Sequence, residues 1–260
     1  MTTNKLTYGL LPLYKTFIMK TQIGDDNVTL LNKYLDSLMK SKKKTSHAHT
    51  LVGQIRQRKE SQQLLMDYNH PDFAVFKNIC LTVSYEYMKK FIEMTVSKLP
   101  EERIPQIDEM WSVHSFEGDY NTIHTHGCKT LMGLSMVAWT KVPKQITDLP
   151  AQGSLKNASG ANDGFLGFVV GDGDVHDSER LKFSGYTPVK PEVGAMYVFP
   201  SWVQHVVWPF FGDGERRSIA TNVNMFPFSG LSPEDQARYT EHQARQTEQK
   251  KQFGQDAWGQ

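Results

Sequence analysis

Apolar residues recur at helical spacing in two stretches of the N-terminal part of the chain. In residues 28–39, leucines and a tyrosine stand three or four positions apart, and Asp25 or Asp26 can cap the start of the helix. The same spacing runs through residues 72–99, and two prolines, the second being Pro105, end it. The pattern therefore predicts two amphipathic helices that lie against a core.

The pattern changes between residue 107 and about residue 228. Short runs rich in Val, Trp, Phe, Tyr and Thr alternate there with Gly, Pro, Asn and Asp. Six candidate strands follow: residues 110–116, 131–140, 164–170, 195–200, 203–208 and 218–224. Many short strands without intervening helices are typical of a sandwich or barrel. Residues 147–163, rich in polar residues, glycine and proline, are expected to form a long loop that borders an active site.

A polar helix is predicted near the C-terminus. Ser232 can cap it, Pro233 suits its first position, and residues 236–252 are almost wholly polar. Such a helix faces solvent or binds a partner, so we expect any homo-oligomer to form through it. Three regions result: a helical support region (residues 1–106), a β core (residues 107–228) and a polar C-terminal helix and tail (residues 229–260).

Composition limits the partners and the cellular compartment that we expect for this chain. A formal net charge of +1 over 260 residues gives no strong field toward nucleic acid or membrane, so neither is expected as a partner. No stretch approaches the roughly twenty apolar residues of a membrane span, and the N-terminus lacks an export signal. The two cysteines, Cys80 and Cys128, form no pair motif, which favours the reducing cytoplasm.

Three histidines carry the chemistry. His124 and His126 are one residue apart on an extended segment, so their side chains point to the same side, and the distant His205 can complete one face of a metal ion. Arg216 and Ser218 follow with the same spacing, and a guanidinium fork beside a hydroxyl suits a carboxylate. The residues thus predict a mononuclear iron site that works with an organic acid.

These residues stand in an order that resembles a known family. The motifs are Tyr120 with His124-x-His126, the run Gly-Ala-Met-Tyr-Val-Phe-Pro-Ser-Trp-Val-Gln-His that ends at His205, and Arg216-x-Ser218-Ile-Ala-x-Asn222. They resemble the 2-oxoglutarate- and iron(II)-dependent oxygenases, and in particular a prolyl-hydroxylase-like group found in bacteria and in tailed phages of marine cyanobacteria. A phage-encoded member would work in the cytoplasm of its host.

The resemblance implies a mainly β fold, a jelly-roll or double-stranded β-helix of the cupin type, with helices packed on one sheet. It implies Fe(II) as cofactor, 2-oxoglutarate as cosubstrate and O2 as oxidant. His124 and His205 would bind the metal, while Arg216 and Ser218 would bind the far carboxylate of 2-oxoglutarate. Three further residues would line the same pocket: Tyr120, Tyr197 and Asn222.

The third metal ligand stays open at this point. The family's usual triad has two histidines and one carboxylate, but His126 occupies the position of the carboxylate. Either His126 is the ligand, or water replaces it, or Asp172 or Asp174 reaches the metal from another part of the chain. Strand geometry favours His126.

The reaction that the resemblance implies is hydroxylation of a C–H bond, coupled to conversion of 2-oxoglutarate and O2 into succinate and CO2. The substrate is not encoded in any motif, and a peptide or a prolyl side chain is the expectation by analogy. Two other classes of function compete with this one. The first is a non-catalytic metal-binding jelly-roll or phage accessory protein, and the second is a three-histidine dioxygenase that needs no 2-oxoglutarate.

Overall fold

The computed structural model describes residues 16–55, 62–95, 98–99, 101–149, 162–171 and 185–253, with four helices and ten strands among them. The helices are α1 (Asp25–Lys40), α2 (Ala74–Thr95), α3 (Lys144–Thr147) and α4 (Pro233–Phe253). The strands are β1 (Met19–Gln22), β2 (Gln62–Leu65), β3 (Arg103–Ser115), β4 (Asn121–His124), β5 (Gly133–Lys141), β6 (Leu166–Val169), β7 (Tyr186–Val189), β8 (Ala195–Pro200), β9 (Gln204–Val207) and β10 (Arg216–Pro227). All six predicted strands and the three predicted helices are present.

The strands form two antiparallel sheets. The large sheet has the order β1-β8-β5-β10-β3-β2, and the small sheet has the order β4-β9-β6-β7. Sequence neighbours such as β8 and β9 lie in different sheets, so the chain passes back and forth between the two layers. This is the predicted jelly-roll, and one cavity is lined by residues of both sheets.

Strand β10 shows how one sequence serves two faces of the large sheet. Successive side chains of a strand point to opposite sides. Ile219 and Val223 face α1 and α2 and share the main hydrophobic core with helix residues such as Leu35. Arg216 and Ser218 face the other way, into the cavity between the sheets. The helices therefore cover one face of the large sheet, and the opposite face is left for chemistry.

Several details differ from the sequence-based prediction. Gly24, with φ 81°, is the N-cap of α1, and the aspartates that follow it lie in the first turn, where their charge favours the helix dipole. Pro105 does not mark the end of the second helix but lies within β3, opposite Met225. β2 covers only residues 111–114 of β3, so Pro105 stands at a sheet edge, where a missing N–H is tolerated.

The C-terminal helix begins as predicted. The Ser232 hydroxyl accepts a hydrogen bond from Asp235 N (3.1 Å) and donates one to Asp235 Oδ2 (2.8 Å). Tyr239 of α4 donates a hydrogen bond to Glu102 next to β3, which ties the start of the helix to the β core. Among the described residues, no helix has the length and apolar character needed to cross a membrane. Cys80 and Cys128 are free thiols, as expected.

Candidate metal and cosubstrate site

The cavity lies between the two sheets and is open to solvent at one side, where Tyr120 is 38% exposed. Its floor is the face of the large sheet that points away from the helices, and its wall is formed by β4 and β9 of the small sheet. Trp139, Leu166 and Phe199 close the inner end as part of a small apolar cluster. The site is therefore concave and partly apolar, as a ligand site requires.

Three histidines meet in this cavity. His124 ends β4, and His205 lies opposite it on β9. One ligand nitrogen of each of His124, His126 and His205 lies within 4.8 Å of the other two. His126 lies just beyond the strand, where its backbone N–H donates to Ser201 O at 3.0 Å. Strand alternation alone therefore does not place His126, because β4 has ended; the contact with Ser201 holds it beside its neighbours.

Hydrogen bonds fix which nitrogen of each ring can bind a metal. The Nδ1 atoms lie 2.6 Å (His124), 3.1 Å (His205) and 2.8 Å (His126) from oxygen acceptors, which are Thr122 O, Val203 O and Asn222 Oδ1. A carbonyl or amide oxygen can only accept, so each Nδ1 carries the proton. The lone pair of each ring is then on Nε2. Second partners of this kind are typical of metal-binding histidines.

Burial keeps all three rings neutral. Burial is the largest cause of the lowered pKa of His124 and of the pKa of His126, which falls to about 4. The pKa of His205 falls well below its ordinary value, first through burial and then through the neighbouring rings of His124 and His126. Neutral imidazoles with a lone pair on Nε2 fit a divalent transition metal such as Fe(II). The lone pair of His124 accepts a hydrogen bond from Asn121 Nδ2 (3.1 Å), so a metal at this site would displace that bond. The donor set of the described residues consists of nitrogen alone, with no carboxylate.

Arg216 is buried in the same cavity, on the large sheet. Its Nη1 donates to Gly164 O (2.9 Å) and Trp208 O (2.8 Å), which uses two of the five N–H donors of the guanidinium. Burial lowers the pKa of Arg216 to about 10, while the carboxylate of Asp119 opposes that shift, so the group is charged at neutral pH. Ser218 lines the cavity two residues further along β10. A fixed cation with spare donors beside a hydroxyl suits a carboxylate.

Arg217 has a different role, although it is adjacent in sequence. It points to the opposite face of the sheet, where Nε donates to Glu215 Oε1 at 2.6 Å and Nη2 lies 2.7 Å from Asp36 of α1. Burial opposes ionisation of Glu215, but its hydrogen bonds with His114 and Arg217 prevail and hold its pKa at about 2. This network attaches α1 to the sheet, and it leaves Arg216 as the arginine of the cavity.

Of the other residues predicted for the pocket, two contribute to the site and one does not. Tyr120 lines the cavity at its mouth. Asn222 contacts the site through a ligand: its Oδ1 accepts from His126 and from Ser135 Oγ (3.0 Å). Tyr197 packs edge-on against Trp139 and beneath the ammonium of Lys20, and it is not among the cavity-lining residues. Asp172 and Asp174 lie outside the described residues.

Three contributors to the site were not predicted from the sequence. Asn121 donates from Nδ2 to His124 Nε2 (3.1 Å) and accepts from Gly53 N (2.7 Å), so it links the first histidine to the segment before β2. Trp111, which has the spacing of a core residue, lines the cavity against the ring of His126. His47 stacks on Trp111 with ring centroids 4.6 Å apart. Only the position of Asn121, three residues before His124, hinted at such a role.

Residues 109–222 match the family model described as "Putative 2OG-Fe(II) oxygenase". The chain carries a 2-oxoglutarate- and Fe(II)-dependent oxygenase domain. The match includes the three histidines, Arg216 and Ser218, and it ends at Asn222. The cofactor and cosubstrate of the domain are thus Fe(II) and 2-oxoglutarate. A search of curated proteins gives no sequence match.

Several solved structures are similar to this chain. The α-ketoglutarate-dependent carbocyclase SnoK from nogalamycin biosynthesis aligns with a TM-score of 0.50 at 9% identity, over 80% of this chain and 79% of that one. A Pseudomonas putida prolyl-4-hydroxylase has a TM-score of 0.45 at 14% identity, over 81% and 91%. The viral collagen prolyl hydroxylase of Paramecium bursaria Chlorella virus-1 has a TM-score of 0.41 at 14% identity, over 79% and 94%. At such identities the likeness concerns the fold alone.

Proposed function

We propose that this oxygenase hydroxylates a C–H bond of a peptide substrate, with a prolyl side chain as the first candidate, and that His124, His126 and His205 hold its Fe(II). Convergence of three neutral imidazoles, with one ligand nitrogen of each within 4.8 Å of the others, in one cavity with Arg216, carries this proposal. We assign the distal carboxylate of 2-oxoglutarate to Arg216 and Ser218. Iron and cosubstrate supply the oxidising chemistry, which turns substrate, 2-oxoglutarate and O2 into hydroxylated product, succinate and CO2.

The protein's own residues have three tasks in this scheme. The rings of the histidines are oriented by Nδ1–H donation to fixed oxygens, so no ring reorganises when the metal binds. Arg216 and Ser218 fix one end of the cosubstrate, which orients its other end toward the histidines. The apolar cluster around Trp139 and Phe199 excludes water from the inner end of the cavity.

A site of three neutral imidazoles differs in charge from the usual triad. Because no carboxylate is among the ligands, the charge of a divalent metal is balanced only when the dianionic cosubstrate is present. We therefore expect the affinities for Fe(II) and 2-oxoglutarate to be mutually dependent. Under this proposal, neither a water in place of His126 nor a distant aspartate is needed to complete the site.

The first test is anaerobic titration of 2-oxoglutarate into the Fe(II)-loaded protein, followed by the visible charge-transfer absorption of the chelate. Arg216→Ala should weaken 2-oxoglutarate binding by about 2–5 kcal/mol, since it removes a buried charge partner. Arg217→Ala is the matched control, because Arg217 lies on the opposite face of the large sheet. The affinity of this variant for 2-oxoglutarate should equal that of the wild type. Equal affinity in wild type and Arg216→Ala would contradict the assignment of the clamp.

One observation favours a second candidate. The ligand cluster lacks a carboxylate, as a three-histidine dioxygenase that works without 2-oxoglutarate would. Such an enzyme has no use for a buried arginine beside a serine in the same cavity, so we rank it second. Iron binding without any charge-transfer band, together with O2 consumption in the absence of 2-oxoglutarate, would reverse that order. Iron binding with neither reaction would identify a non-catalytic metal-binding jelly-roll.

A further inference from the structure

Gln63 lies in the wall of the cavity, away from the three histidines. It is on β2, at the edge of the large sheet, and a row of directly paired residues runs from it across Val113 and Ser218 to Trp139. Directly paired residues share a face, and all four line the cavity. Since neighbouring strands are about 4.8 Å apart, Gln63 stands about 10 Å from the strand of Ser218. It faces a different part of the cavity from the carboxylate clamp.

The side-chain oxygen of this glutamine has no partner. The residue is only 6% exposed, and its backbone carbonyl accepts from His47 N at 2.9 Å. Four buried side-chain atoms in the described part of the chain lack a hydrogen bond, and of these only Gln63 Oε1 belongs to a residue of the cavity wall. The oxygen is buried, and it can only accept a hydrogen bond.

Such an atom calls for an explanation, because buried polar groups are almost always hydrogen-bonded. Around Gln63 the wall is formed by Ile55, Trp111 and Val113, whose side chains offer no donor directed at it. Among the described residues, Arg216 is the one permanently charged group of the cavity, and it lies on the clamp side. The surroundings of Gln63 therefore suit an uncharged group attached to an apolar body.

We infer that Gln63 Oε1 binds the primary substrate by accepting a hydrogen bond from an uncharged N–H or O–H group, while the apolar part of the substrate packs on Trp111. This inference rests on the proposed function, since the clamp of Arg216 and Ser218 must hold the cosubstrate for the rest of the cavity to receive the substrate. A peptide amide and the hydroxyl or amide of a small molecule share the required chemistry. Substrates with a carboxylate or phosphate at this position are disfavoured.

The test uses two defined sets of probes with the intact, Fe(II)-loaded protein. The first set is acetylated and amidated tripeptides Gly-Xaa-Gly and Gly-Xaa-Pro with every natural residue at Xaa, and the second is the corresponding free amino acids. Succinate formation above the rate without probe identifies a probe that is accepted. The set in which it falls separates a peptide from a small-molecule source.

Gln63→Leu removes the amide and keeps a similar volume. For the accepted probe, we expect its KM to rise about 2- to 12-fold, as for loss of one uncharged hydrogen bond, while the affinity for the cosubstrate stays unchanged. Methylating the donor nitrogen of the probe should produce the same rise with wild type and none with Gln63→Leu. Gln62→Leu is the matched control, since Gln62 is paired with His114 on the opposite face, and it should leave the KM of the probe unchanged.

A thermal unfolding measurement without substrate separates substrate binding from a structural role. Replacing an unpaired buried amide by leucine should leave the Tm equal or raise it, whereas a structural residue would lower it. An unchanged KM of the probe in Gln63→Leu, a lower Tm, or the absence of any accepted probe would overturn the inference. In that last case, the charge-transfer titration still decides the proposed function independently.

Discussion

The hydrogen bond between Asn222 and His126 permits a quantitative prediction. Asn222 is 6% exposed, and its Oδ1 accepts from His126 Nδ1 at 2.8 Å and from the fully buried Ser135 Oγ at 3.0 Å. Asn222→Ala removes the acceptor that keeps the proton of His126 on Nδ1. The ring is then free to rotate or to move its proton to Nε2, the nitrogen that must bind the metal.

The expected loss follows from these contacts. Removing an outer partner of a ligand histidine typically lowers metal affinity by about 10- to 100-fold. The variant also leaves two buried donors unpaired, on His126 and Ser135, and each costs about 1–3 kcal/mol of folding stability. Asn222→Ala should therefore bind Zn(II) or Co(II) about 10- to 100-fold more weakly and unfold more readily. Asn222→Asp retains an acceptor and should keep metal affinity near that of wild type.

The assay is a competition titration of Co(II) or Zn(II) against a chelator, with the d–d absorption of Co(II) as a second signal. Asn224→Ala is the matched control, because Asn224 is the same residue type two positions further along β10 and is almost fully buried. Its Oδ1 accepts from Lys129 N at 2.8 Å and from Thr130 N at 3.2 Å. It should be destabilised to a similar degree, with metal affinity unchanged. Equal affinities in wild type and Asn222→Ala would refute the role of Asn222 and weaken the case for His126 as a ligand.

Two further predictions concern stability and the mouth of the site. The folded-state pKa of Glu215, about 2, lies below its ordinary value of 4.5, so its carboxylate stabilises the fold above about pH 4.5 and loses this effect as pH falls toward 2. Glu215→Gln should therefore cost about 2–3 kcal/mol at pH 7 and roughly 40% of that at pH 3 in urea unfolding. An equal cost at the two pH values would contradict this role of Glu215. A Cβ on Gly53 would stand 2.4 Å from Asn121 Cα, whereas one on Gly127 meets nothing within 4 Å. Gly53→Ala should lower the Tm and the metal affinity, and Gly127→Ala neither; similar values for both variants would refute the close packing.

The sequence predicts the strands that form the centre of the sheets and misses those at their edges. The six predicted strands have alternating or continuous apolar residues because at least one of their faces is buried. β2 and β4 are four residues long, and β2 is half polar while β4 has one apolar residue, so no periodicity distinguishes them from loops. Their existence depends on pairing with β3 and β9, which is a tertiary effect.

The same limit applies to the candidate site. His124, His205 and Arg216 stand in motifs whose spacing is set by a strand or a turn, so the sequence identifies them. Residues that act through others or that depend on strand register give no such pattern. Gln63 reaches the cavity only because β2 pairs in one register with β3, and Tyr197, which has a promising position in its motif, is directed toward Trp139 instead.

The double use of β10 has a consequence for how this enzyme can diversify. One face of that strand carries Arg216, Ser218 and Asn222, and the other carries Ile219 and Val223 of the core. Inserting or deleting a single residue would exchange the two faces, burying the arginine under the helices and placing core side chains in the cavity. Under the inference for Gln63, natural or engineered variants can alter substrate preference at β2, whereas β10 must keep its length.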